Sequence, residues 1–367
     1  MKKILLVEGR LSIGGGQVIS LAVCKALAVE NEMITFLPGD EKSPIAQLLS
    51  DYEQNYFVQH EYSRGQKSLN DAFRLAKNSF AFLKLRRVIK SRSVDVVYVQ
   101  HASMLPTVLL ACIGLNVKII VHLHVVYSDN RVRSLMNRML SKKKVSLILG
   151  VSHYTFSQLQ PSLLKKCKII YNPVPLLTPQ SDKVIRNIAI IGDVIELKGH
   201  HVLFSAIAQM SSEYHIHVIG NIVDANYKER LLKDYPHVRV TFTGMIKDVH
   251  SYLRENRVGL VVVATTAVFE TFSLAMVEAW SQSIPTIATN DFGMKELINK
   301  FLPQYKDYML FEKNNSEDLR KKIEFLKNNE TLYNTISHDV VSIVRNHLNE
   351  ENFEKEVRLE IQKIFVK

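Results

Sequence analysis

The sequence contains few cysteines and no long apolar run. Its three cysteines, Cys24, Cys112 and Cys167, are far apart, and none forms a Cys-x-x-Cys pair. Their odd number and wide spacing argue against a disulfide framework or a zinc site, so we interpret them as reduced packing residues.

No stretch reaches the roughly 18 to 20 apolar residues of a membrane-spanning helix. The apolar residues 4–7 also lack the flanks of a signal peptide. These absences predict a cytoplasmic protein.

Metal-binding patterns and repeats are absent as well. The sequence has no Asp-x-Asp pair and no His, Cys or carboxylate cluster with metal-ligand spacing, so we predict no metal and no other cofactor. It also has no internal repeat and no low-complexity tract. Hydrophobic residues make up 47% and charged residues 23%, which is typical of globular proteins. A length of 367 residues predicts two domains.

Acidic residues are scarce in the first half only. Residues 1–180 contain 24 Lys and Arg against 11 Asp and Glu, whereas residues 181–367 contain 23 against 25. The net charge of +11 therefore comes entirely from the first half. This asymmetry predicts an anionic partner of that half, either a membrane surface or a nucleic acid. Because no recognised nucleic-acid-binding module occurs, we predict no nucleic-acid partner.

Short β-branched runs alternate with helical patterns, which is typical of βαβ units and parallel sheets. A proline-rich and polar stretch after residue 172 predicts a linker, and the alternation restarts beyond it. From Glu317 onward the pattern is helical, with no Pro or Gly after Pro303. We predict domain boundaries at 1–173 and 174–348, and a final helix at 349–367 that packs back on the first domain. The predicted strands are 2–7, 33–37, 95–100, 118–125, 147–151, 187–192, 215–220, 239–244, 259–264 and 285–289.

The first predicted strand leads into a glycine-rich loop. Gly14, Gly15 and Gly16 precede a helical pattern that starts near Val18. Glycines at such a turn let backbone N–H groups approach a phosphate at the helix N-terminus. The register differs from Gly-x-Gly-x-x-Gly, which disfavours a dinucleotide site and leaves a plain flexible loop as the alternative.

Two carboxylates, Glu270 and Glu278, stand eight positions apart after the predicted strand 259–264. If a helix begins near Ser273, its N–H groups point at a diphosphate and Glu278 lies about a turn and a half inside the helix. Glu270 then reaches the hydroxyls of a sugar, and Glu278 reaches those of a ribose. From spacing alone, the alternative is that Glu270 is a charge favoured by the helix dipole and that Glu278 is a solvated helix position.

The surroundings of this pair resemble the donor domain of retaining GT-B glycosyltransferases of family 4. The similarity covers nearly the whole chain. A Lys-Gly turn at Lys198 and Gly199, after the strand that ends at Gly192, resembles the phosphate-binding turn of that family. The further matching segments are 218–220, 240–244, 269–280, 283–288 and 293–296.

The resemblance implies an α/β protein with the GT-B fold, in which two Rossmann-like parallel-sheet domains face a central cleft. Residues 1–173 would bind the acceptor, and residues 174–348 would bind a nucleotide-sugar donor. Lys198 would neutralise the diphosphate, Glu278 would bind the ribose, and catalytic Glu270 would hold the transferred sugar. The implied donor-binding residues are Gly15, Gly16, Lys198, Gly244, Thr271, Phe272, Ser273, Leu274 and Glu278.

One residue departs from the family pattern. The family usually has an arginine directly after the strand glycine, and here Asp193 follows Gly192. An acid at this place would repel a diphosphate unless it points away, or unless Arg10 or another base compensates. Asp193 is the best argument for a non-catalytic subunit.

Two histidines lie near the end of the predicted strand 118–125. The alternation of a strand places His122 and His124 on one face. The resemblance implies a histidine near the sugar and acceptor, and His124 fits this place better, with His122 in reserve and His101 as a weaker candidate. The alternative is a set of core or surface histidines.

Two segments of the first half mix cations with apolar side chains, at residues 73–92 and 131–144. They predict contact with an anionic bilayer, where a lipid-linked acceptor would lie. The alternative is a solvated helix face.

We therefore predict a metal-independent, retaining hexosyltransferase. Its donor is a UDP-sugar, its acceptor is a saccharide or a lipid-linked molecule, and its role is in surface polysaccharide biosynthesis. We place it in the cytoplasm, peripheral at the inner face of the membrane. Two alternatives stay open at this point: a non-catalytic partner subunit of a glycosyltransferase complex, and a nucleotide-sugar epimerase.

Overall fold

The computed structural model describes residues 1–11, 13–58, 81–210, 213–266 and 270–366. The chain divides into two compact units. The first unit is Met1–Pro173 with Phe353–Lys367, and the second unit is Val174–Asn352. Part of the first predicted basic segment, residues 73–80, and Phe269 of the predicted donor motif lie outside the described residues.

A parallel sheet forms the centre of the first unit. Its strands are Lys2–Val7 (β1), Asn31–Pro38 (β2), Glu53–Phe57 (β3), Val96–Val99 (β4), Lys118–Leu123 (β5), Val145–Gly150 (β6) and Cys167–Ile169 (β7). They lie in the order β3-β2-β1-β4-β5-β6-β7, and each neighbouring pair is parallel. Strands β1, β4 and β5 are almost continuous apolar runs because helices cover both faces of the sheet.

The helices of the first unit form two hydrophobic cores with this sheet. They are Gly15–Ala28 (α1), Pro44–Leu48 (α2), Ala81–Ser91 (α3), Leu105–Ala111 (α4), Asn130–Leu140 (α5) and His153–Phe156 (α6), with 3₁₀ turns at Ala102–Met104 and Pro161–Lys166. Helices α3, α4 and α5 pack on one face, through residues such as Leu85, Val108 and Leu140. Helix α1 packs on the opposite face, through Ile19 and Leu27.

A second parallel sheet forms the centre of the second unit. Its strands are Val184–Ile191 (β8), His215–Ile219 (β9), Arg239–Gly244 (β10), Val258–Val263 (β11), Thr286–Thr289 (β12) and Leu310–Phe311 (β13). They lie in the order β10-β9-β8-β11-β12-β13. The helices of this unit are His200–Ile207 (α7), Ala225–Asp234 (α8), Val249–Glu255 (α9), Leu274–Ser281 (α10), Phe292–Phe301 (α11), Lys306–Met309 (α12), Ser316–Asn328 (α13) and Glu330–His347 (α14), with 3₁₀ turns at Glu196–Lys198 and Pro303–Tyr305.

The last helix, Glu350–Val366 (α15), begins at the end of the second unit and belongs to the first unit from Phe353 onward. Its buried residues Phe353, Val357, Ile361 and Ile364 recur at helical spacing and join the core that contains α1. Each such buried side chain contributes roughly 1.5 to 3 kcal/mol relative to an exposed one. This apolar stripe attaches α15 to the first unit.

The prediction of two α/β domains with parallel sheets is confirmed. The sequence patterns missed β3, β7 and β13, each of which lies at an edge of its sheet. An edge strand packs against only one neighbouring strand, so it needs fewer apolar residues than a central one. Strand β3 reads Glu-Gln-Asn-Tyr-Phe and is only partly buried, and β13 has two residues.

Candidate functional site

The strand order reverses between β8 and β11 in the second unit, and between β1 and β4 in the first. In open parallel sheets, ligands bind beyond the carboxyl ends of the strands at such a reversal. Most of the candidate site residues predicted from the sequence follow these strands, whereas His124 follows β5 and Gly244 ends the edge strand β10. We describe the two groups of residues separately, beginning with the second unit.

Two predicted donor residues meet at the reversal in the second unit. Lys198 follows β8 and Glu270 follows β11, and the Nζ of Lys198 lies 2.6 Å from the Oε2 of Glu270. The hydroxyl of Thr265 donates to the same carboxylate oxygen at 3.4 Å. Lys198 keeps about one third of its side chain exposed. The pair thus presents a cation beside a carboxylate at the edge of the sheet where ligands bind.

Close backbone packing holds the turn that carries Lys198. Gly199 has a φ of +72°, and a Cβ there would overlap the carbonyl of Ala264. The N–H of Thr266 donates to the carbonyl of Leu197 at 3.0 Å. The loop after β8 is therefore fastened to the loop after β11, and only glycine fits at the point of contact.

Gly293 allows the start of helix α11 to approach the backbone next to Glu270 closely. The N–H of Gly293, at the start of α11, donates to the carbonyl of Glu270 at 3.0 Å. A Cβ on Gly293 would overlap the carbonyl of Thr271 and lie 2.9 Å from the backbone nitrogen of Phe272. The predicted residues Thr271 and Phe272 are themselves buried. The backbone from Glu270 to Phe272 is thus held directly against α11.

Helix α10 begins where the sequence predicts it. Ser273 is the N-cap, and its Oγ accepts from the N–H of Met276 at 3.4 Å. Leu274 opens the helix, whose first N–H groups and dipole favour an anion at this end. Glu278 lies one turn further along the helix and is half-buried, and burial raises the pKa of its carboxyl group.

Asp193 is exposed and directed toward Asn221, whose Nδ2 lies 3.5 Å from its Oδ1. Its carboxylate is not the group that pairs with Lys198.

Gly244, at the end of β10, has a φ of +69° with open space at its Cβ position. Its carbonyl accepts from the N–H of Gly220 at 3.0 Å. In the sheet, β10 is two strands away from β8, so Gly244 does not adjoin the strand that precedes Lys198.

A second set of polar groups lies at the reversal in the first unit. Gly15 and Gly16 form the first turn of α1, directly after the glycine-rich loop. Glu8, at the end of β1, is fully buried and accepts from the N–H of Gly9 at 2.7 Å and from the hydroxyl of Ser20 at 2.8 Å. Burial raises the pKa of the Glu8 carboxyl group.

Gln100 connects this glycine-rich turn to His124. Its Nε2 lies 3.2 Å from the carbonyl oxygen of Gly16 and 3.0 Å from the Nε2 of His124. Burial, with a smaller effect of nearby His101, lowers the pKa of His124 to about 3. His124 is therefore a neutral imidazole at physiological pH.

The two other candidate histidines have different surroundings. The rings of His122 and His124 lie 4.2 Å apart, on one face of the strand as the alternation predicts. His122 is fully buried, and its Nδ1 lies 2.9 Å from the hydroxyl of Tyr98. The Nδ1 of His101 lies 2.6 Å from the hydroxyl of Ser103. Burial, with a smaller effect of Arg10, lowers the pKa of His101 to about 4.

Metal-site groupings and membrane-spanning helices are both absent from the described part of the chain. There, no group of three or more His, Cys, Asp or Glu side chains has the arrangement of a metal site. Among the described helices, none is both long and apolar enough to cross a membrane.

Two protein-family models match the chain. Residues 13–176 match Glycosyltransferase Family 4, and residues 180–339 match Glycosyl transferases group 1. An uncharacterized glycosyltransferase of Haemophilus influenzae is 24% identical over 344 residues, which cover 91% of this chain and 92% of that protein. An uncharacterized glycosyltransferase of Methanocaldococcus jannaschii is 24% identical over 282 residues, which cover 75% of each protein.

Solved structures share the fold at low sequence identity. The crystal structure of Anabaena HepE in complex with UDP has a TM-score of 0.81 and 16% identity, and the match covers 99% of this chain and 100% of that chain. The apo form of the lipopolysaccharide outer core galactosyltransferase WaaB has a TM-score of 0.74 and 16% identity, with 99% of both chains covered. The fold is thus that of the GT-B glycosyltransferases. The two family models, which match successive parts of the chain, support its assignment to the glycosyltransferases of family 4 and group 1.

Motifs did not indicate several residues that shape these sites. Thr265 supports Glu270 through a hydrogen bond from its hydroxyl. Glu8 and Gln100 stand at the ends of β1 and β4, which are neighbours in the sheet. The only available signal was a polar residue directly after an apolar strand, together with the strand order that brings the two strands together.

Proposed function

We propose that this protein transfers a sugar, with retention of configuration, from a nucleotide-diphosphate donor held by the second unit. The observation that carries this proposal is the pairing of Lys198 with Glu270, which precedes the N-terminus of α10, where the strand order reverses between β8 and β11. A cation and a helix N-terminus bind a diphosphate, and a carboxylate binds sugar hydroxyls. Glu278, one turn further along α10, reaches the ribose.

The chemical step follows from this assignment. The bond between the anomeric carbon and the donor phosphate oxygen breaks while the acceptor oxygen bonds to that carbon on the same face. The acceptor proton passes to the departing phosphate oxygen. Lys198 and the N-terminus of α10 stabilise the negative charge that develops on the diphosphate, and we propose that they do so without a divalent cation. We further propose that His124 contacts the sugar or the acceptor.

The printed names of similar proteins support the choice of substrates. HepE is described in complex with UDP and with UDP-glucose, which supports a UDP-hexose as the donor here. WaaB is named as a lipopolysaccharide galactosyltransferase. This name supports an acceptor in surface polysaccharide biosynthesis, either a saccharide or a lipid-linked molecule.

Isothermal calorimetry with UDP and GDP tests the donor assignment. We expect the wild type to bind UDP with micromolar affinity and to bind GDP more weakly. Glu278→Ala removes the ribose ligand, so UDP binding weakens by about 10-fold to 100-fold, as expected for a charge-assisted hydrogen bond of about 1.5 to 3 kcal/mol. Glu255→Ala, an exposed glutamate of the same unit, is the matched control and leaves the affinity unchanged.

Two results would contradict this assignment. If neither nucleotide binds the wild type, a non-catalytic partner subunit becomes the better interpretation. If UDP-glucose is converted to another UDP-sugar in the absence of an acceptor, the protein is an epimerase. Product analysis by mass spectrometry and NMR separates these outcomes.

We also propose that the first unit contacts an anionic membrane through its basic face. We define the basic face as the exposed side of α3, α4 and α5 with residues 142–144. Between residues 81 and 144 the chain has twelve Lys and Arg and only two acidic residues. Helix α4 packs against both α3 and α5, and Arg86 of α3 donates to the carbonyl of Ala111 at 2.8 Å. The three helices thus form one continuous surface.

Apolar side chains stand among the cations of the basic face. Leu83 of α3 is 56% exposed, Leu135 of α5 is 56% exposed, and Ile113, two residues after the end of α4, is 61% exposed. Exposed cations of the same helices include Arg87 and Arg138. A surface that mixes exposed apolar anchors with cations is typical of interfacial membrane binding, and each cation near an anionic bilayer contributes about 1 kcal/mol.

Vesicle co-sedimentation tests this membrane contact. We expect binding to vesicles that contain anionic phosphatidylglycerol and none to vesicles of phosphatidylcholine alone. The double variant Arg87→Glu with Arg138→Glu should bind at least about 30-fold more weakly, because two favourable charges are lost and two unfavourable ones are added. Lys233→Glu with Lys247→Glu makes the same charge change in the second unit and should bind like the wild type. Equal loss in both double variants, or tighter binding to RNA than to the vesicles, would reject this assignment.

A further inference from the structure

Gln100 is a buried glutamine at the ligand-binding end of the first unit. Its side chain is only 2% exposed, and its Nε2 contacts two groups at once. The carbonyl oxygen of Gly16 lies 3.2 Å away, and the Nε2 of His124 lies 3.0 Å away. A single amide nitrogen therefore joins the glycine-rich turn to the imidazole.

The carbonyl of Gly16 determines which way the amide of Gln100 points. A carbonyl oxygen only accepts hydrogen bonds, so the atom of Gln100 that faces it must be the amide nitrogen. The reverse orientation would bring two oxygens to 3.2 Å and leave no donor between them. An amide nitrogen has two hydrogens, and the second one is available to His124. The Nε2 of His124 is therefore the acceptor of this hydrogen bond.

The acceptor role of Nε2 determines the tautomer of His124. A neutral imidazole has one N–H and one acceptor nitrogen, and the partner of one nitrogen decides where the proton resides. The imidazole is neutral because burial lowers the pKa of His124 to about 3. Since Nε2 accepts from Gln100, the proton of His124 is on Nδ1.

We propose that Gln100 is a positioning residue that holds His124 in its Nδ1–H tautomer. This inference rests on the proposed transferase function, in which His124 contacts the sugar or the acceptor. In this tautomer, His124 can donate a hydrogen bond only through Nδ1, because its Nε2 accepts from Gln100. It is not the base that takes the acceptor proton, which leaves that role to the departing phosphate.

A purely structural role explains the amide of Gln100 less well. The Oε1 of Gln100 is buried and has no hydrogen-bond partner among the residues that the structure describes, which is unfavourable for a polar group. A methionine would fill the same space without an unpaired oxygen. The two contacts of Nε2 are thus the property that distinguishes glutamine here.

The tautomer can be measured directly by NMR. We would record long-range ¹H–¹⁵N correlation spectra of the ¹⁵N-histidine-labelled protein at neutral pH and assign His124 from the signals that disappear in His124→Asn. We expect a protonated Nδ1 and an unprotonated Nε2 for His124 in the wild type. The reverse pattern in the wild type would overturn the proposal without any need for a variant.

Two variants separate positioning from packing. Gln100→Met removes the donor, so the Nε2–H tautomer of His124 becomes populated and both ring signals shift. Gln158→Met is the matched control: Gln158 is also buried and donates to the carbonyl of Val125 at 2.8 Å, next to His124 in sequence. This control should leave the tautomer unchanged. An unchanged tautomer in folded Gln100→Met would reject the positioning role.

Enzyme kinetics give a second readout. Once an acceptor is known, Gln100→Met should lower kcat about 10-fold or more, by analogy with the loss of a hydrogen bond that orients a metal-ligating histidine. If the wild type transfers no sugar from any nucleotide sugar, the proposed function fails, while the NMR result on the tautomer stands independently.

Discussion

We expect Lys198→Ala to lower kcat/KM for sugar transfer by about 100-fold to 1,000-fold, the range seen when one stabilising group is removed from a developing negative charge. Lys198 is the cation at the reversal of the second sheet, and its Nζ lies 2.6 Å from the Oε2 of Glu270. A diphosphate bound at this site would contact a lysine whose position is set by its ion pair with Glu270. Removing the ammonium group leaves the departing diphosphate without that charge.

Release of UDP from UDP-glucose measures this effect even before the acceptor is known, because slow hydrolysis of the donor reports on the same leaving group. Lys233→Ala, an exposed lysine at the end of α8, is the control and should behave like the wild type. Calorimetry with UDP accompanies the kinetics. A decrease of less than 10-fold, with normal UDP affinity, would mean that Lys198 does not face the diphosphate.

The pairing of Lys198 with Glu270 also predicts that the two substitutions are not additive. In Lys198→Ala, the carboxylate of Glu270 loses its cation while its side chain stays only 15% exposed. Part of the loss in the single variant therefore comes from an unpaired carboxylate. A double-mutant cycle with Glu270→Gln isolates the coupling between the two residues.

The alternation of strands and helices predicted most of the two sheets because their central strands are apolar on both faces. Strands β1 and β10 have the predicted bounds, and the other predicted strands differ from the observed ones by one to three residues at an end. The same reasoning fails at β3, where glutamate, glutamine and asparagine form an edge strand. Pairing with one neighbouring strand decides its structure, and a local pattern does not contain that information.

The candidate site could be predicted only in part from the sequence, for a similar reason. Glu270, Glu278 and Lys198 stand in local patterns, so they could be singled out before the fold was known. The Lys198–Glu270 ion pair joins residues 72 positions apart, and the Gln100–His124 contact joins neighbouring strands. Such contacts follow from the sheet order. The concern raised by Asp193 likewise depended on the direction of a side chain, which the structure shows turned toward Asn221.

Gly293→Ala should have a large effect, because the added methyl group would lie against the backbone of the predicted donor residues. A Cβ at this position would overlap the carbonyl of Thr271, so the backbone from Glu270 to Phe272 or the start of α11 must move. A displacement of about 1 Å in a positioned group can lower activity about 100-fold. Overpacking of this kind also destabilises a protein by about 1 to 3 kcal/mol. We therefore expect UDP binding and sugar transfer to fall together by about 100-fold, with a lower Tm.

Gly114→Ala separates the loss of function from the loss of stability. Gly114 has a φ of +72° and open space at its Cβ position, so alanine there strains the backbone by about 1 to 2 kcal/mol without touching a neighbour. Both variants should show a lower Tm and native circular dichroism, but only Gly293→Ala should lose UDP binding. Normal UDP affinity in Gly293→Ala would show that the backbone of residues 270–272 does not hold the donor. In that case Lys198 and α10 would have to bind the nucleotide without it.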